Sequence, residues 1–83
     1  MPKFIDQHET NQNLPPEMVI LIRQRLLSAE VDEYGGRGIN VFIGQQTTYC
    51  YTEAPDADAV RRSHAALGIV LGPNDVEEIL VLP

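Results

Sequence analysis

Apolar and polar positions alternate from Lys3 to His8, the period-two pattern of a strand with one face buried. Glu9-Thr10-Asn11-Gln12-Asn13 is polar without any period and reads as a loop. Pro15 and Pro16 suit the first turn of a helix, where their fixed φ fits and no N–H is required. From Glu17 to Asp32 there is no Gly or Pro, and Val19, Ile22, Leu26 and Leu27 recur at helical spacing, widened by Met18, Leu21 and Ala29. The run Tyr34-Gly35-Gly36-Arg37-Gly38 ends that helix in a turn. Ile39–Ile43, β-branched and aromatic, predicts a second strand; Gly44-Gln45-Gln46 is a short link and Thr47–Glu53 the return strand. Ala54-Pro55 breaks it. Asp56 is placed to cap a second helix running to Leu67, with Asp58 in its first turn and Gly68 as its stop. After a loop through Gly72-Pro73-Asn74, Val76–Leu82 forms the last strand.

The order β-α-β-β-α-β predicts an α+β, ferredoxin-like fold: a four-stranded antiparallel sheet with two helices on one face and the first and third strands at its centre. Residues 1–83 read as one such domain, because a chain of 83 residues holds a single core. Two helices cover one sheet face, yet both faces carry bulky side chains. Ile39, Val41 and Ile43 point one way and Phe42 the other, while Tyr49 and Tyr51 oppose Cys50. An uncovered face bearing aromatics is an association surface, so a homodimer formed through the open sheet face is expected.

Composition narrows the functional classes. Twelve acids against six Lys and Arg leave a net charge of −6, which argues against binding a nucleic-acid backbone. No apolar run approaches the roughly 20 residues that span a bilayer, and the N-terminal stretch lacks a signal-peptide core. The single cysteine cannot form an internal disulfide, so a cytoplasmic location is expected.

No phosphate-binding glycine loop, nucleophile elbow or CxxC pair occurs, and no catalytic residue is assigned. The residues that could carry chemistry are Asp6, His8, Cys50, Glu53 and His64. Asp6 and His8 share a strand face with Phe4, so both can reach a metal, or the carboxylate can orient the imidazole; a solvated strand end is the plainer alternative. His64 falls four residues after Val60 and three before Leu67, within the stripe facing the sheet, while Arg61 and Arg62 point outward. A histidine there needs a hydrogen bond, a carboxylate or a metal. Cys50 is either a small buried hydrophobe or a thiolate ligand which, with imidazoles, suits nickel, copper or zinc. Glu53 can be a ligand, a hydrogen-bond acceptor or a solvated strand end. Tyr34, Tyr49 and Tyr51 can line a pocket between sheets or pack in a dimer interface.

The stretch from Tyr49 to His64, containing Cys50, Glu53-Ala54-Pro55 and Asp56-Ala57-Asp58-Ala59-Val60 before His64, resembles the small bacterial nickel-binding-protein-like family of ferredoxin-like homodimers. Phe4-Ile5-Asp6-Gln7-His8 is similar to the opening strand of that family. The resemblance implies a metal-associated role, with nickel or another transition metal at His8, Cys50, Glu53 and His64. The nickel-binding members look richer in histidine in the second strand and after the second helix, where this chain has none. Two other readings remain open: a dimeric α+β barrel module for a small ligand or reaction, with Tyr49, Tyr51 and His8 lining its cavity, and an interaction module without chemistry.

Overall fold

A computed structural model describes all residues, 1–83. The elements are β1 (Lys3–Glu9), α1 (Pro16–Ser28), β2 (Arg37–Ile43), β3 (Thr47–Glu53), α2 (Ala57–Ala65) and β4 (Val76–Ile79). They form one sheet of order β2-β3-β1-β4 with every neighbouring pair antiparallel. This is the ferredoxin-like α+β arrangement, with β1 and β3 central as the element order predicts.

Register decides which side chains share a face. Phe4 lies opposite Thr52, Asp6 opposite Cys50 and His8 opposite Thr48. Phe4, Asp6, Thr48 and Thr52 are buried, so this is the covered face. On β2, a register shift between Gly38 and Asn40 inserts one extra residue. The resulting bulge lets Gly38, paired with Thr52, and Val41, paired with Cys50, both face the helices although they are an odd three positions apart. Leu26 of α1 lies over Gly38, where a Cβ would meet its side chain at 2.9 Å. α1 therefore sits on the same face as α2.

The core is small and lies under α2: Phe4, Ala54, Ala59, Val60 and Leu71, flanked by Tyr34, Ala57, Ile69 and Val76. Asp56 caps α2, its carboxylate accepting from Ala59 N at 2.8 Å. Gly68 stops the segment at φ +81°, a left-handed turn that costs glycine nothing. α2 nevertheless ends at Ala65, two residues before the expected Leu67.

α1 departs more from expectation. It ends at Ser28, not Asp32, because Ala29 turns left-handed at φ 54°. Val31 then bridges to Arg37 and closes a tight turn around Asp32. Asp32 Oδ1 accepts from Tyr34 N and Gly36 N, both at 2.9 Å, and Ser63 of α2 donates its hydroxyl to Oδ2. This one carboxylate thus ties the turn to the second helix. No residue of α1 is buried; of the expected stripe, Ile22 and Leu26 are half-covered while Val19 and Leu27 stay exposed. The helix leans on the edge strand β2 instead of the sheet centre. β4 also stops early, at Ile79 instead of Leu82, because β1 offers no partner before Lys3.

Candidate metal centre

The covered face brings four donor residues to one place. Asp6 and His8 stand two apart on β1, Cys50 pairs with Asp6 from β3, and His64 descends from the last turn of α2. One ligand atom from each of Asp6, His8, Cys50 and His64 lies within 4.8 Å of the other three. Cys50 Sγ is 3.9 Å from His8 Nε2, and His64 Nε2 is 3.1 Å from Asp6 Oδ1. The two imidazoles meet edge to face, 5.8 Å between centroids. Tetrahedral ligands at 2.0–2.3 Å from an ion stand roughly 3.3–3.8 Å apart, so these separations approach what such a site needs.

Both rings are held in the orientation a ligand requires. His64 Nδ1 donates to Val60 O at 2.9 Å, one helical turn back, and His8 Nδ1 donates to Glu9 O at 3.0 Å. Each tether takes up Nδ1 and leaves Nε2 facing the cluster, as backbone carbonyls do for metal-bound histidines.

Asp6 is the unusual member. Its side chain is fully buried, and neither carboxylate oxygen has a hydrogen-bond partner. The contact with His64 is an ion pair at short range without hydrogen-bond alignment. A buried carboxylate in that condition needs positive charge. Burial alone would push the His64 imidazole down, but the Asp6 carboxylate and Cys50 Sγ, with the Val60 carbonyl, outweigh it and raise His64 to about 10. His64 is therefore an imidazolium at neutral pH, and it is the one positive charge in contact with Asp6.

Of the sequence candidates, Asp6, His8, Cys50 and His64 come together and Glu53 does not. Glu53 lies three positions after Cys50, an odd offset that turns it to the opposite face of β3. There it meets Arg37 at 3.3 Å and Lys3 at 3.6 Å. Partial burial would raise its carboxyl, but Arg37, the N-terminal amine and Lys3 hold it below the usual carboxylate range. Asp6 takes the place in the cluster that the sequence had offered to Glu53. The signal for it is the Asp6-x-His8 spacing, which sets both side chains on one face of the strand.

The open face carries Phe42 and Tyr49, opposite each other in the β2–β3 register and 55 % and 42 % exposed. Tyr51 lies on the same face, opposite Ile5. No helix in the chain is long and apolar enough to cross a membrane.

Comparison with known proteins agrees with this architecture. The profile of the family described as "Nickel responsive protein SCO4226-like" matches residues 4–76. The crystal structure of SCO4226 from Streptomyces coelicolor A3(2) superposes with a TM-score of 0.69 at 24 % identity, covering 98 % of this chain and 99 % of that one. No curated protein sequence matches.

Proposed function

The chain belongs to the SCO4226-like family of nickel responsive proteins, and from that membership together with the cluster we propose that it binds or senses a transition-metal ion, nickel foremost, at His8, His64, Cys50 and Asp6. The observation that carries the reading is the fully buried Asp6 carboxylate, neither oxygen hydrogen-bonded and only His64 in ion-pair contact with it, facing two imidazoles whose Nδ1 atoms are tethered to the backbone. Two nitrogens, one sulfur and one oxygen suit nickel, copper or zinc better than the all-oxygen cations. A bound ion would supply the positive charge that Asp6 now draws from His64. His64 would give its Nε2 proton and Cys50 its thiol proton to solvent, so the reading requires Cys50 to be reduced.

The working form in this proposal is a homodimer joined through the open sheet face. The single chain exposes 5872 Å² of solvent-accessible surface. A folded monomer of this mass exposes about 4,900 Å². The surplus is close to the roughly 800 Å² that each partner contributes to a standard interface. Phe42, Tyr49 and Tyr51 supply the aromatic centre that such interfaces favour.

Titration calorimetry of tag-free, reduced protein with Ni²⁺, Cu²⁺ and Zn²⁺ tests the metal site. Micromolar or tighter binding, lost in His64→Ala, is expected. Millimolar binding, or binding untouched by His64→Ala, would remove the proposal.

A further inference from the structure

We infer that the depression at the uncovered edge of β1 is the port through which a hydrated divalent cation reaches the buried donors; this rests on the metal reading above. β4 pairs with β1 only from Lys3 to Asp6, so beyond one backbone bond, Gln7 N to Asp75 O at 3.0 Å, the last residues of β1 are paired with β3 alone and have no strand on the β4 side. The gap left there is lined by Gln7, His8, Glu9 and Thr47 on one side and by Ile69, Val70 and Asp75 among the residues of the α2–β4 connection. His8 is the single donor that belongs both to the cluster and to this depression. Asp6 and His64 are buried, His8 and Cys50 are partly exposed, and of these two only His8 lines the depression. Two acids, Glu9 and Asp75, line the depression and no Lys or Arg does.

The chemistry follows from that layout. Carboxylates at the mouth of a cleft raise the local concentration of a cation and speed its arrival. His8 Nε2 then stands first in line and passes the ion inward to Cys50, His64 and the Asp6 carboxylate, whose oxygens accept no hydrogen bond. Asp75 Oδ2 also accepts from Gly72 N at 2.7 Å, a bond that an asparagine at 75 keeps through its amide oxygen.

Stopped-flow mixing of Ni²⁺ with the Glu9→Gln/Asp75→Asn variant, against wild type and a Glu17→Gln/Glu30→Gln control of equal net charge, tests this. At low ionic strength the association rate of the port variant falls roughly tenfold, the low end of electrostatic steering. Its dissociation rate is unchanged, the gap closes in high salt, and the control behaves as wild type. An association rate equal to wild type, or an equal fall in the control, overturns the port while leaving the metal site standing. Wild-type protein that takes up no nickel overturns both.

Discussion

Substituting His64 with alanine removes the one positive charge that touches Asp6. The Asp6 side chain is fully buried and that of His64 nearly so, so solvent screens their interaction little. In His64→Ala the buried carboxylate loses the charge beside it, which costs free energy. Removing one member of a buried pair costs about 3–5 kcal/mol. A small domain has about 5–15 kcal/mol of stability in total. At roughly 4–8 °C per kcal/mol, the melting temperature falls by about 12 °C or more. The sign of a second substitution is more discriminating than the size of the first. Asp6→Asn in the His64→Ala background replaces the stranded charge by a neutral amide, and the double variant is more stable than His64→Ala alone. Urea unfolding in chelator-treated buffer at fixed protein concentration measures both, followed by far-UV circular dichroism since the chain has no tryptophan. A cost below about 1 kcal/mol for His64→Ala, or a double variant weaker than the single one, would refute the buried-pair reasoning.

Other expectations rest on different contacts. Asp32 is held ionised: partial burial pushes its carboxyl up, but the Ser63 hydroxyl and the Gly36 and Tyr34 N–H groups outweigh it and lower it below 3.8. Its stabilising contribution is thus complete above the unfolded-chain pKa near 3.9 and is lost as pH falls through the lower folded value; Asp32→Asn flattens that part of the acid limb in pH-dependent unfolding. Glu53→Gln breaks solvent-screened contacts with Arg37 and Lys3 on the face away from the cluster, so Ni²⁺ affinity stays within about twofold of wild type by calorimetry, and stability changes far less than in His64→Ala. Phe42→Asp with Tyr49→Asp places charge at the centre of the proposed interface, and sedimentation velocity shows a dimer turning into a monomer that keeps its circular dichroism spectrum.

The order of elements and the positions of the two central strands could be read from periodicity because half-buried strands and capped helices leave local marks. Thr47–Glu53, the Asp56 cap and the Gly68 stop are such cases. The ends of α1 and β4 could not. Ala29 terminates α1 through a left-handed conformation that its residue type does not announce, and β4 stops where its partner strand ends. In the site, helical spacing placed His64 over the sheet, and alternation placed Asp6 with His8. The meeting of Cys50 with Asp6 depends on a register between distant strands, which local sequence does not encode. Glu53 fits both a strand-end ligand and the family motif, yet counting from Cys50 sends it to the other face.

Diffraction from nickel-loaded crystals at wavelengths on either side of the nickel absorption edge tests the metal site most directly. An anomalous peak bonded to His8 Nε2, His64 Nε2, Cys50 Sγ and an Asp6 oxygen is the predicted result. Nickel confined to surface residues, with His64 Nε2 still resting against Asp6, would contradict it.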